Sequence, residues 1–193
     1  MSKRLNLFAA AAALTLALTA TTALVPSASA EEKTVMVGGA PMYPSKNIVQ
    51  NAVNSKDHTT LVAAVKAAGL VDTLQSPGPF TVFAPTNAAF GKLPAGTVET
   101  LVKPENKATL TKILTYHVVP GRLTAASLMK SVKDGNGEAK LKTVEGEEIW
   151  VKQAGPGKLS ITDAKGSTST VTIADVLQSN GVIHVIDAVL QPM

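Results

Sequence analysis

The chain has 193 residues and no cysteine, which excludes disulfides, thiol catalysis, thiolate metal sites and lipid attachment at a cut-site cysteine. Its formal net charge is +4, or +2 without Lys3 and Arg4, and the remaining lysines are scattered among Asp and Glu with few aromatic rings. That pattern excludes the concentrated basic face with stacking rings on which nucleic-acid binding depends.

In chain order, Lys3-Arg4 opens an apolar run from Leu5 to Val25, which closes on Pro26 and the small residues Ala28-Ser29-Ala30 before Glu31-Glu32. A charged start, a greasy middle and a small-x-small cut are the marks of a secretory signal peptide over residues 1–30. The protein is therefore expected to be secreted, either periplasmic or extracellular at the cell surface. No later segment approaches the ~20 apolar residues of a membrane span. The 163 residues left after cleavage suffice for one core, so one domain is expected.

Residues 31–46, with Gly38-Gly39, Pro41 and Pro44, read as a flexible lead-in able to dock on the domain. From Asn47 the period is helical: Ile48, Val49, Ala52 and Val53 share a face. Asp57 stands where the next helix would be N-capped, Leu61, Val62, Val65 and Ala68 form its stripe, and Gly69 ends it. Phe80–Ala84 is a strand that Pro85 terminates, with Thr86 or Asn87 capping a short helix. Another helix opens near Pro104, carries Leu110, Ile113 and Leu114, and runs into Tyr116-His117-Val118-Val119 and the turn Pro120-Gly121. Thr124–Lys130 is a short helix. After Lys133 the period becomes two: 138–144 and 147–152 form a hairpin about Glu145-Gly146, and 158–162 and 168–173 are further strands. Asp175–Ser179 reads as a helical turn stopped by Asn180-Gly181, and 182–190 is apolar on both faces, as a central strand is. Helices in the first half and strands in the second predict an α+β domain over 47–193.

Three segments together carry a family resemblance. Thr81-Val82-Phe83-Ala84-Pro85-Thr86-Asn87-Ala88-Ala89-Phe90, Tyr116-His117-Val118-Val119, and Gly181-Val182-Ile183-His184-Val185-Ile186-Asp187-Ala188-Val189-Leu190 resemble, in order, the signatures of the fasciclin (FAS1) domain family. The resemblance implies a FAS1-like twisted β-wedge or sandwich flanked by several short α-helices. It also implies a secreted, bacterial, non-enzymatic cell-adhesion or protein–protein interaction module, with other proteins or matrix and cell-surface components as partners.

The residues themselves offer little reaction chemistry. His58, His117 and His184 lack the spacing of a helical metal site, and no phosphate loop, dinucleotide fingerprint or calcium loop occurs, so neither metal nor cofactor is expected. Ser127-Leu128-Met129-Lys130 fits the S-x-x-K pattern of penicillin-recognising enzymes but lacks its companion motifs and is read as chance. For binding, the candidates are Tyr116 and His117, since the resemblance implicates the Tyr-His region in receptor contact, and Arg122, the one arginine beyond residue 30. Tyr116 and His117 also have a structural reading, as buried groups tying a helix to a strand. His184 reads as a satisfied core residue and Asp187 as a backbone acceptor. A rival function is a carrier of a small lipid or carbohydrate in the cell envelope, using a groove between helices and sheet.

Overall fold

The computed structural model describes residues 34–193, so the signal peptide expected over 1–30 lies outside the described residues. Within the segment read as a lead-in able to dock on the domain, residues 35–42 form a hairpin, β1 (Val35–Val37) and β2 (Ala40–Met42). Gly38 and Gly39 make its turn, with φ of 58° and 76°. Val37 and Met42 are each only 3% exposed, so the hairpin contributes to the core, and Lys56 N donates to Gly38 O at 3.2 Å to pin its turn.

Helix α1 (Ile48–Ala52) starts on a reciprocal cap: Asn47 Oδ1 accepts from Gln50 N at 2.8 Å and Gln50 Oε1 accepts from Asn47 N at 3.0 Å. Ile48 and Val49 face inward, but Val53, expected beside them, is 49% exposed. Asn51 is buried instead, because its amide donates to Tyr43 O and to Gln178 Oε1 and its carbonyl accepts from Tyr43 N. Residues Lys56–His58 form a 3-10 turn leading into α2 (Thr59–Ala68). Asp57 lies within that turn and does not cap; Thr60 N is satisfied by Asn87 Oδ1 at 3.0 Å, a cap supplied across space. Gly69, at φ 73°, ends the helix as expected.

The remaining elements are α3 (Val71–Gln75), β3 (Phe80–Pro85), α4 (Asn87–Gly91) capped by Thr86, α5 (Thr97–Leu101), α6 (Lys107–Tyr116), β4 (Val118–Pro120), α7 (Ala125–Asp134) capped by Thr124, β5 (Glu138–Lys142), β6 (Glu148–Gly155), β7 (Lys158–Thr162), β8 (Thr168–Gln178) and β9 (Gly181–Ile186). Strands β3 to β9 form one sheet in the order β4-β3-β9-β8-β7-β6-β5. β9 runs parallel to β3 and antiparallel to β8, and all six of its residues are buried, as its two-faced apolar pattern requires. Val144 N donates to Val118 O at 2.8 Å, so the two ends of the sheet meet and it curls nearly into a barrel.

One core lies between the helices and β3–β9, with Leu61, Val65, Leu110, Leu114 and Ile183 at its heart. The other is enclosed by the curled sheet and α7, around Phe83, Tyr116, Leu128, Ile149, Ile161 and Ile186. The α+β expectation holds. The helical turn expected at 175–179 does not: these residues fall at the end of β8 and in its turn to β9. Opposite β9, Val171 pairs with Ile186, Ile173 with Val185 and Val176 with Ile183, so β8 carries two bulges, and Asp175 takes φ 57°. Each extra residue breaks the alternation of a strand and makes the sequence imitate a turn. Among the described residues no helix is long and apolar enough to cross a membrane.

Candidate functional site

The α6–β4 junction is where the Tyr-His pair falls. Tyr116 is fully buried; its hydroxyl donates to Glu148 O at 2.9 Å and accepts from Ala164 N at 2.9 Å. Burial pushes its phenol up to about 12. His117 is 2% exposed, and its Nδ1 lies 2.8 Å from Ile113 O while Nε2 accepts from Leu190 N at 2.9 Å. That pairing makes the ring a neutral imidazole with its proton on Nδ1, and burial pushes its pKa down to about 4. Its carbonyl also accepts from Phe83 N at 2.9 Å. Tyr116 and His117 therefore tie helix α6, strand β3, the start of β6 and the C-terminal segment together, and both rings lie inside the fold.

Arg122 is the sequence candidate that reaches the surface. Thr81 positions its turn: Thr81 Oγ1 donates to Gly121 O at 2.7 Å and accepts from Leu123 N at 2.8 Å. The guanidinium Nη2 donates to Gln178 O at 3.0 Å and to Ser179 O at 3.2 Å, clamping the β8–β9 turn. Ser179 N in turn donates to Lys46 O at 2.9 Å, and Lys46 Nζ lies 4.8 Å above the ring of Tyr43. Tyr43 and Leu177 are each 38% exposed. The structure thus gathers Arg122, Lys46 and Tyr43 into one surface patch and separates them from Tyr116 and His117. Sequence reasoning missed Tyr43 and Lys46 because nothing local links the 31–46 segment to the β8–β9 turn. An aromatic ring in a Pro- and Gly-rich stretch was the one available signal.

The remaining candidates are structural. His184 is fully buried, stacks on Phe83 with ring centroids 5.7 Å apart, and has Nε2 2.8 Å from Leu123 O, while Nδ1 accepts from Asp175 N at 3.3 Å. Asp187 accepts from Thr170 N at 2.7 Å and Ser169 Oγ at 3.2 Å, with Lys92 at 3.5 Å. Burial alone would raise its pKa, but these donors and Lys92 hold the carboxyl below the usual range. His58 bonds Ser55 Oγ through Nδ1 at 2.9 Å, while its buried Nε2 has no partner. That ring borders an apolar cavity of about 80 Å³ between α1–α3 and the sheet. Among the described residues no three His, Asp or Glu side chains gather as a metal site.

Residues 56–192 match the family model for the fasciclin domain. Protein sll1483 of Synechocystis is 50% identical over 161 residues, covering 83% of this chain and 82% of that protein. The immunogenic protein MPB70 of Mycobacterium bovis is 38% identical over 146 residues, covering 73% of this chain and 66% of that one. The solved FAS1 domain pair of the insect cell adhesion molecule Fasciclin I is similar in fold, with a TM-score of 0.68 at 21% identity, and this chain spans 52% of it. A curled seven-stranded sheet with the fully buried β9 inside it, the Tyr-His pair locking helix to strand and a domain match over most of its length make this chain a member of the fasciclin (FAS1) domain family.

Proposed function

We propose that this is an exported, non-enzymatic fasciclin module that works by surface contact with other proteins or matrix components at the cell envelope. The observation that carries the reading is the disposition of its polar groups. The residues that reaction chemistry would draw on, Tyr116, His117, His184 and Asp187, are engaged in backbone hydrogen bonds, whereas Arg122, Lys46 and Tyr43 face solvent together. The likeness in fold to a cell adhesion molecule points the same way. The signal read over residues 1–30 supplies the route of export.

The test is a pull-down from envelope and extracellular-matrix extract with the parent and a Tyr43→Ala/Arg122→Ala variant, both first shown by circular dichroism to be folded. A component captured by the parent, lost in the variant and bound again when purified supports the reading. Equal capture by both removes the patch from it.

The carrier reading has one observation in its favour: the apolar cavity with the unpartnered His58 Nε2 on its wall. Its volume of about 80 Å³ is far below the roughly 300–1,000 Å³ of small-molecule sites. A carrier would have to open α1–α3 away from the sheet. A long-chain fatty acid that raises the melting temperature by several degrees would favour it, and the absence of any shift would leave the contact reading alone.

A further inference from the structure

We propose that the outer face of the β5–β6–β7 sheet, centred on Trp150, binds an acidic polysaccharide of the uronic-acid type. This surface is separate from the Arg122 patch and does not depend on it.

The alternation of β6 creates the face. Ile149 and Val151 are completely buried, so Glu148, Trp150 and Lys152 point outward. Trp150 is the single tryptophan of the chain, yet it belongs to neither hydrophobic core and is only half-buried. Among the described residues none accepts a hydrogen bond from its Nε1–H. A ring of this size is the largest apolar contribution a residue can make to a core, and its N–H normally finds a partner when covered. Here both the ring and its donor are left at the surface.

Its neighbours define the chemistry of what would cover it. Lys140 on β5 and Thr162 on β7 are the register partners of Trp150, and Lys142 is the partner of Glu148. Lys152 is held by Glu138 at 2.9 Å, whereas Lys140 and Lys142 form no ion pair among the described residues. Trp150, Lys142, Glu148 and Glu147, the last paired with Lys112 at 3.2 Å, also bound an open depression of about 520 Å³. A protein interface core would surround the indole with apolar groups and few charges; this one is surrounded by Lys, Glu and Thr. A single-stranded nucleic acid needs several rings in series and no carboxylate between them; here there is one ring beside Glu148. The apolar face of a pyranose fits the indole, sugar carboxylates fit the uncommitted ammonium groups, and Glu148 and Thr162 can bond sugar hydroxyls. With Arg122 on another surface, one domain would have two faces and could bridge a polysaccharide to a second partner without dimerising.

Because the chain holds one tryptophan, its fluorescence reports this face directly. The protein is titrated with polygalacturonate, with neutral dextran and with poly-glutamate. A spectral shift with polygalacturonate alone, weakened by added salt and unchanged in Arg122→Ala, is expected. Lys140→Gln/Lys142→Gln should weaken binding at least tenfold, and Trp150→Ala, followed by calorimetry, should abolish it. Circular dichroism should show both variants folded, since neither change touches a core. No response to polygalacturonate, an equal response to dextran, an equal response to poly-glutamate, or binding by Trp150→Ala like that of the parent would each overturn the proposal.

Discussion

Replacing His117 with Gln should make the fold markedly less sensitive to acid. In an unfolded chain this imidazole takes its ordinary value of 6.5, while in the fold burial holds it near 4. The folded value lies below the unfolded one, so the neutral ring's contribution is fully present above pH 6.5. It is lost as the pH falls toward 4, because the unfolded chain takes up a proton that the fold refuses. Between pH 7.5 and 4.5 that proton uptake spans about two decades, and at ~1.4 kcal/mol per decade the fold loses about 2–3 kcal/mol from His117 alone. His58 and His184 are also depressed by burial and lose stability in the same direction, but they are present in both proteins and cancel in the comparison. Gln keeps a neutral donor and acceptor toward Ile113 O and Leu190 N, with poorer geometry that should cost about 1–2 kcal/mol at pH 7.5. The assay is urea denaturation of parent and variant at both pH values, followed by far-ultraviolet circular dichroism. The variant should start less stable and lose about 2–3 kcal/mol less on acidification. An acid loss as large as the parent's would refute this reasoning, since His117 could then not be a neutral ring bonded through both nitrogens.

Tyr116→Phe keeps the ring but leaves Ala164 N and Glu148 O without their shared hydroxyl, and should cost about 2–4 kcal/mol in urea denaturation; a loss near zero would mean that water replaces the hydroxyl. Asn180→Ala removes a buried amide that accepts from Ile48 N at 3.1 Å and donates to Leu74 O at 2.8 Å and Ser76 O at 2.9 Å. It should destabilise by about 3 kcal/mol and speed hydrogen exchange first in α1 and α3. Gly181→Ala places a Cβ 2.2 Å from Phe80 O, where the parallel β3–β9 pairing begins, so the strands must part. The expected result is loss of soluble, cooperatively folding protein, and a variant melting within a few degrees of the parent would show that the strands yield easily.

Much of the fold was legible in the residues. The β3 segment with its Pro85 stop and Thr86 cap, the Gly69 terminus, the hairpin at Glu145-Gly146 and the doubly buried β9 each follow from forces acting over a few residues. The proposed contact surface was less legible. Arg122 was singled out because it is chemically conspicuous, but its neighbours Tyr43 and Lys46 were not, and Tyr116 and His117 are buried despite their polar ends. Trp150 stands in an alternating strand, and alternation does not say which face a curled sheet will turn inward.

By itself the sequence determined that the domain is α+β, that the strand from Phe80 stops at Pro85, that α2 ends at Gly69 and that the 181–186 strand is buried on both faces, because caps, prolines, glycines and hydrophobic period act locally. Only the tertiary structure decided that residues 35–42 dock as a hairpin, that Asn87 caps a helix distant in sequence, that bulges keep 174–178 in a strand, and that Asn51 and Asn180 are buried. The physical reason is common to all four. Buried polar groups and irregular backbone are stable only when partners arrive from remote parts of the chain, and those partners are set by the closing of the sheet rather than by neighbouring residues.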